Sequence, residues 1–193
     1  MVVVVATSAA PALAGSFELS LLGGLRMGGE LEDGLTGEYR SVEASPSFGL
    51  AIGLPLEPER ILEVVWTHQE GQVDGASADG GPVSFDLDTV GIGGTADWRR
   101  GRWRPFLSGT AGVTVLSPEQ PGFDTAVLFT MTLGGGAKVP ISPKLGLRFE
   151  GRGVFMLATS STSGVCGGGR CVLSFSGSGI VQLELLTGLT WSL

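Results

Sequence analysis

Residues 145–157, LGLRFEGRGVFML, carry large hydrophobic residues or glycine at odd positions, and all three charged residues of the segment lie at even positions. The charged members are Arg148, Glu150 and Arg152. Successive side chains of a β-strand point to opposite faces, so the pattern predicts a strand with one apolar and one ionic face. A helix would scatter these charges around its circumference, and the glycines at 151 and 153 would weaken it.

Two environments can accept such a strand. In a soluble protein the apolar face packs on a core and the charged face meets water. In a transmembrane barrel the apolar face meets lipid and the charged face meets a narrow polar interior. The remainder of the chain must discriminate between these alternatives.

The composition favours the barrel. The 193 residues include 33 glycines, only 16% are charged, and the mean hydropathy is +0.32. No stretch after the N-terminus has about 18 consecutive apolar residues, which argues against a transmembrane helix. The net charge of −7 also argues against a nucleic-acid partner, because phosphate binding needs clustered Lys and Arg.

The alternation recurs in eight segments of about the length that a tilted strand needs to cross a bilayer. They are residues 16–31, 47–56, 61–69, 89–98, 102–115, 127–141, 145–157 and 173–193. Short links at 57–60, 99–102 and 142–144 alternate with longer links at 31–46, 70–84, 117–125 and 158–172. Short turns on one side and long loops on the other are typical of an eight-stranded, antiparallel, up-and-down transmembrane β-barrel. A soluble eight-stranded barrel would instead need a charged outer face.

The charged faces predict a filled barrel interior. An eight-stranded barrel is just wide enough for side chains to fill, so buried charges there must be paired. Ion pairs that plug the interior are the favoured interpretation, and an ion path is the alternative. The residues expected in the lumen are Glu18, Arg26, Glu30, Glu63, Asp97, Arg104, Lys138, Arg148, Glu150, Arg152 and Glu184.

The four tryptophans, Trp66, Trp98, Trp103 and Trp191, fall near predicted strand ends. This placement suits interfacial aromatic girdles, in which the indole N–H meets lipid headgroups. Ordinary packing aromatics are the alternative.

The N-terminal segment resembles the end of a secretory signal, with an apolar run before Ala12-Leu13-Ala14. We therefore expect a signal peptide at residues 1–14 and a barrel domain at 15–193. An apolar first strand is the alternative, which Pro11 disfavours.

In an exported chain, Cys166 and Cys171 predict a local disulfide in a glycine-rich loop, with two free thiols as the alternative. Two cysteines are too few for a zinc site.

Motifs for cofactor chemistry fail on context. GIGGTA at 91–96 lacks the helix that a dinucleotide fingerprint needs, and GGGAK at 134–138 lacks the Ser or Thr of a phosphate loop. We therefore expect neither a cofactor nor a metal.

Several stretches together resemble the small outer-membrane β-barrel proteins of Gram-negative bacteria, most closely the OmpA-like and OmpX-like group. They are residues 85–118, 132–153, the CGGGRC loop at 166–171 and the closing LTGLTW at 186–191. The resemblance implies an outer-membrane location and no catalytic residues. It also implies partners: outer-membrane lipid, lipopolysaccharide and the assembly machinery, with the barrel a monomer. Such barrels often end in Phe or Trp, whereas this sequence ends Trp191-Ser192-Leu193.

The function expected from these features is a structural or surface-interaction role, with extracellular loops available for contacts. One alternative is a lipid-modifying enzyme, since some eight-stranded barrels use a His with a Ser and a carboxylate near the outer leaflet. The one histidine is His68, with Thr67 and Glu70 nearby, and no His-x-Ser pair adjoins it. A narrow porin is the other alternative, which the small width of eight strands disfavours.

Overall fold

The computed structural model describes residues 17–33, 39–41, 43–73, 83–119, 124–157, 164–167, 170–174 and 179–193. Within these ranges the chain forms twelve strands in two sheets. The described residues contain no helix that is long and apolar enough to span a membrane. The predicted signal segment, residues 1–14, lies outside the described residues.

Eight long strands form a closed barrel. They are β1 (Glu18–Met27), β4 (Ser45–Glu57), β5 (Arg60–Val73), β6 (Val83–Asp97), β7 (Arg104–Pro118), β8 (Ala126–Pro140), β9 (Leu145–Leu157) and β12 (Ile180–Ser192). Each strand pairs antiparallel with the next along this series, and β1 closes the barrel by pairing with both β4 and β12. The predicted fold class, an all-β, eight-stranded, antiparallel, up-and-down barrel, is confirmed.

A second sheet lies outside the barrel and corrects the predicted ends of two strands. It contains β2 (Glu30–Asp33), β3 (Tyr39–Ser41), β10 (Gly164–Gly167) and β11 (Arg170–Ser174), in the order β10-β11-β2-β3. The alternation predicts a first strand that extends to residue 31 and a last strand that begins at residue 173. Barrel strand β1 instead ends at Met27, because Gly28 and Gly29 adopt φ values of 82° and 100° that leave the extended conformation.

Two other strands are longer than predicted. Strand β5 continues to Val73 and β6 begins at Val83, and the two pair along their whole length down to Arg60 and Ala96. Sequence alternation underestimated both because polar outward residues such as His68 and Asp88 interrupt the apolar face. The barrel wall therefore rises higher on this side than the apolar pattern alone predicts.

The two faces of the barrel have opposite chemistry. Large hydrophobic side chains cover the outer surface on all eight strands, including Leu21, Ile52, Leu107 and Leu185. The interior holds ionic side chains, such as Arg26 and Glu184, that are almost completely buried. This arrangement inverts that of a soluble protein, in which buried charges are rare.

Candidate functional site

The first layer of the interior lies at the end of the barrel where the short turns and the strand termini meet. Lys138 Nζ lies 2.8 Å from Glu18 Oε2 and 3.4 Å from Asp97 Oδ2. Arg104 contacts the same two carboxylates, at 3.2 Å for Asp97 and 3.8 Å for Glu18. Thr95 donates a hydrogen bond of 2.9 Å to Asp97 Oδ1. Two cations and two anions from β1, β6, β7 and β8 thus cross this end of the lumen.

The second layer is centred on Arg148 of β9. Its guanidinium donates two hydrogen bonds to Glu63 of β5, at 2.7 and 3.0 Å, and a third of 3.0 Å to Glu150. Ser108 donates a hydrogen bond to the other oxygen of Glu150 at 2.7 Å. Arg148 also lies 4.9 Å from the ring centroid of Phe106. Bidentate arginine–carboxylate pairs are geometrically specific, so this contact fixes β9 against β5 across the barrel.

An apolar group follows the second layer. Leu22, Ala51, Val65 and Leu186 form a buried cluster contributed by β1, β4, β5 and β12. These four strands are neighbours, so the cluster lies on one side of the lumen, whereas on β9 the charged residues Glu150 and Arg152 are only two positions apart. The alternation predicts Ala51 on the inner face. Leu22, Val65 and Leu186 share the parity of Arg26, Glu63 and Glu184 on their strands, although their hydrophobicity favours a lipid-facing position.

The upper charged layer follows the seam where the first and last barrel strands meet. Arg26 of β1 lies 3.0 Å from Glu184 of β12, and Arg152 of β9 lies 2.6 Å from the other oxygen of Glu184. Arg26 also donates a hydrogen bond of 2.9 Å to Thr67 on β5, which is separated from β1 by β4 alone. One buried carboxylate therefore links three consecutive strands.

The outer end of the interior is neutral. Thr114 shares hydrogen bonds of 2.8 Å with Thr89 and 2.6 Å with Thr130, which forms a chain of hydroxyl groups across three strands. Beyond this chain a group of inward side chains is apolar and buried, next to the buried amide of Gln69, which is the register partner of Leu87. The apolar side chains are Phe85, Leu87, Leu116, Ala126, Leu128, Met156 and Ile180. The alternation does not predict this apolar end, because the predicted fourth strand begins after Phe85 and Leu87.

The structure brings together ten of the eleven residues predicted for the lumen. Five are acidic and five are basic, and each has at least one oppositely charged group within 4.0 Å. Glu30 is the exception, and its prediction was wrong in location: its backbone lies in β2 of the second sheet, opposite Ser41. Without Glu30 the formal charges of the described lumen cancel.

The tryptophans occupy two levels of the outer surface. Trp98 and Trp103 flank the β6–β7 turn, and Trp191 lies near the end of β12. Trp66 differs from the prediction because it lies in the middle of β5, where it is the last apolar outward residue before His68. Three of the four tryptophans therefore lie at the end of the barrel that carries the short turns.

His68 lies on the outer face and has a carboxylate partner. Its Nδ1 atom lies 3.1 Å from Asp88 Oδ1, and the Trp66 indole donates to the same oxygen at 3.2 Å. A carboxylate can orient a histidine for general-base chemistry. No hydroxyl or thiol group among the described residues is hydrogen-bonded to His68, so a nucleophile is not part of this cluster. Thr67, adjacent in sequence, points into the lumen instead.

Cys166 and Cys171 are paired opposite each other in the backbone register of β10 and β11. Their disulfide stays a prediction. Within the described ranges, no group of three or more His, Cys, Asp or Glu side chains is arranged to hold a metal ion.

Comparison with solved structures identifies the kind of barrel. Neisserial surface protein A is similar with a TM-score of 0.64 at 14% identity, covering 92% of this chain and 97% of that one. Outer membrane protein AlkL, solved in DMPC bilayers, gives 0.62 at 13% identity, with 100% and 97% covered. Outer membrane protein OprG of Pseudomonas aeruginosa gives 0.50 at 9% identity, with 93% and 97% covered.

The chain therefore has the fold of the small bacterial outer-membrane β-barrels, and the likeness supports the predicted outer-membrane location. No family model matches the sequence, and no curated protein is similar to it in sequence. Membership of the OmpA-like and OmpX-like group in particular stays a prediction.

Proposed function

We propose that this protein is a closed outer-membrane barrel that anchors its outer loops and the second sheet at the cell surface for structural or interaction roles. The lipid of the membrane and lipopolysaccharide would contact its apolar outer face. The assembly machinery of the outer membrane would insert it, and it would function as a monomer.

The outer surface supports the membrane location. Exposed hydrophobic side chains on every barrel strand form a continuous belt, whereas a soluble monomer rarely exposes a contiguous apolar patch of more than a few hundred Å². A membrane barrel alternates apolar outward and polar inward side chains. A membrane location therefore explains both the hydrophobic belt and the charges in the interior.

The ion pairs that cross the lumen carry the proposal of a closed barrel. Arg148 reaches Glu63 on the far wall at 2.7 Å, and Lys138 reaches Glu18 at 2.8 Å. On one side of the lumen, the apolar cluster of Leu22, Ala51, Val65 and Leu186 lies between these contacts and the upper charged layer. Side chains that cross the lumen to pair with another wall fill the described interior of so narrow a barrel, which leaves little space for a hydrated ion. This favours a plug over a narrow porin.

Conductance measurements test this closed state. The refolded protein should give no stepwise ion currents in planar lipid bilayers at concentrations at which a large-pore porin, as positive control, gives clear steps. Insertion must be shown independently, by recovery of the protein with the bilayer-forming vesicles and by its resistance to added protease. Regular single-channel steps from inserted wild-type protein would refute the plug.

The enzymatic alternative has one specific observation in its favour, the His68–Asp88 pair near the outer end of the belt. It lacks a nucleophile among the described residues. Mass spectrometry of lipid A from cells with wild-type protein or His68→Ala would decide between the two functions. We expect identical lipid A in both, and a modification that only the wild type produces would overturn the non-enzymatic proposal.

A further inference from the structure

The turn between β6 and β7 concentrates arginine at one point of the barrel rim. Its sequence is WRRGRW, residues 98–103, and Arg99, Arg100 and Arg102 are all exposed. The ten lumen charges are all paired, whereas none of these three arginines has a carboxylate partner within the described structure. A chain of net charge −7 thus presents three neighbouring cations that form no ion pair within 4.0 Å among the described residues, although Glu59 lies beside Arg99 and Arg100.

The backbone holds this turn in one conformation. Arg100 and Trp103 exchange backbone hydrogen bonds of 2.9 and 3.1 Å, and Trp98 N–H donates to the Pro105 carbonyl at 2.8 Å. Gly101 has φ +62°, which suits the first central residue of a tight hairpin turn. Asp97 N–H donates to the Glu59 carbonyl at 2.8 Å, which joins this turn to the neighbouring β4–β5 turn. A fixed backbone reduces the entropy lost when the arginines bind a ligand.

The two tryptophans locate the arginines relative to lipid. Trp98 and Trp103 are 43% and 57% exposed, and they terminate the outward apolar rows of β6 and β7. Indole rings favour the boundary between hydrocarbon and headgroups. The guanidinium groups of the turn therefore begin where the belt ends, at the level of the headgroups.

The length of the turns identifies the end of the barrel at which the arginines lie, and the distribution of charge indicates which kind of lipid they contact. At the opposite end of the barrel, residues 28–46, 70–88, 117–125 and 158–178 comprise the long links together with the adjoining ends of strands, and they contain twelve acidic and two basic residues. The short turns carry Arg60, Arg99, Arg100, Arg102 and Lys144 against Glu57 and Glu59. Short turns of bacterial barrels face the periplasm, where the adjacent leaflet consists of phospholipid.

We propose that the β6–β7 turn binds the headgroups of anionic phospholipids in the periplasmic leaflet. Arg99, Arg100 and Arg102 supply the charge and the hydrogen bonds to phosphate, and Trp98 and Trp103 fix the depth of the turn. Arginine suits phosphate because its planar fork donates two parallel hydrogen bonds. This inference rests on the proposed membrane location, and it adds a lipid class and a site to it.

Quenching of tryptophan fluorescence by brominated lipid measures this contact directly. The protein carries Trp66→Phe and Trp191→Phe, so that only Trp98 and Trp103 report. It is refolded into phosphatidylcholine vesicles that contain either brominated phosphatidylglycerol or brominated phosphatidylcholine at the same low mole fraction. A basic residue near an anionic surface strengthens binding about fivefold. After screening by salt, we expect phosphatidylglycerol to be preferred about tenfold over phosphatidylcholine at the reporting tryptophans.

In the Arg99→Gln/Arg100→Gln/Arg102→Gln variant this preference should fall to about one, and 0.5 M NaCl should reduce it in the unsubstituted turn. The matched control is Arg60→Gln/Lys144→Gln, which removes charge from the same end of the barrel and should retain most of the preference. An equal loss in the control would assign binding to the whole rim and overturn the proposal for this turn.

Two further outcomes distinguish failure of the proposed membrane location from failure of the proposed headgroup site. If the protein does not insert into the vesicles, as judged by heat-dependent migration on a gel, the membrane location itself fails. If the barrel inserts but both brominated lipids quench equally, only the headgroup site fails. Binding of soluble peptidoglycan fragments by the arginine turn, without a lipid preference, would show an acidic cell-wall polymer as its partner and overturn the proposal.

Discussion

At the scale of single residues, burial determines how much the stability of the barrel depends on the ionic partners of each charge. Arg148 is almost fully buried and contacts the carboxylates of Glu63 and Glu150. Removing one member of a buried pair leaves the other desolvated and unpaired, which costs far more than the loss of an exposed pair. A guanidinium that serves two carboxylates should therefore be among the least replaceable residues of the barrel.

The substitution Arg148→Met keeps much of the side-chain volume and removes the charge. We expect it to lower the free energy of unfolding by about 3–5 kcal/mol, because Glu63 and Glu150 lose their cation. The control is Arg104→Met, since Arg104 is partly exposed and makes longer contacts of 3.2 and 3.8 Å. Urea unfolding of both variants in vesicles, followed by tryptophan fluorescence, gives the comparison. A loss for Arg104→Met as large as that for Arg148→Met would contradict the role of burial.

Two leucines of similar exposure separate a lipid-facing surface from a water-facing one. Leu185 is 49% exposed in the middle of the belt, and Leu56 is 57% exposed at the turn end of β4. In a membrane, Arg at the position of Leu185 should cost about 2–4 kcal/mol and Arg at Leu56 about 0–1 kcal/mol. Unfolding of Leu185→Arg and Leu56→Arg in vesicles measures both changes. Equal, small changes would indicate that water surrounds the belt.

Alternation in the sequence predicts which face a residue occupies, but not which partner it finds. Arg148 and Glu63 are 85 positions apart, and their contact depends on the register of every strand between β5 and β9. Local parity contains no information on that register. The same parity places Leu22 and Leu186 inside, yet hydrophobicity alone assigns them to lipid, so the apolar cluster is not predicted. Glu30 was misplaced because two glycines ended β1 before it.

At the scale of elements, the seam between β1 and β12 closes the barrel. Arg26 and Glu184 are register partners across it, and Ser20 and Thr190 share a hydrogen bond of 2.8 Å lower on the same seam. The second sheet adds contacts between the segments that follow β1 and precede β12, because β2 pairs with β11. The two ends of the barrel sheet are thus joined both within the lumen and outside the barrel.

The β10–β11 hairpin carries the predicted disulfide, and its register makes Cys166 and Cys171 direct partners. Closing so short a loop removes limited chain entropy, on the order of 2 kcal/mol. We therefore expect Cys166→Ser/Cys171→Ser to leave the barrel intact and to make the hairpin more sensitive to protease added to whole cells. Maleimide labelling of both cysteines in untreated wild-type cells would show that the bond does not form. Failure to label after reduction would indicate that the hairpin is not on the outside.

At the scale of the whole molecule, charge is divided among three regions. The segments of the long-loop end contain twelve acidic and two basic residues, and the described lumen contains five of each sign. The short turns contain five basic and two acidic residues. The net charge of −7 is thus a property of the long-loop end, which should repel anionic macromolecules at the surface and favour cationic ones.

Closure of the sheet gives the last prediction. Every strand of the barrel has two hydrogen-bonded neighbours, so the fold has no free edge at which detergent or another chain could begin to separate it. The purified chain from residue 15 should refold in detergent with a β-sheet circular dichroism spectrum. Without heating it should migrate on a gel as a compact monomer, and after boiling as an extended chain. A helical spectrum, or identical migration before and after boiling, would exclude a closed barrel in solution, and a stable unheated dimer would contradict the expected monomer.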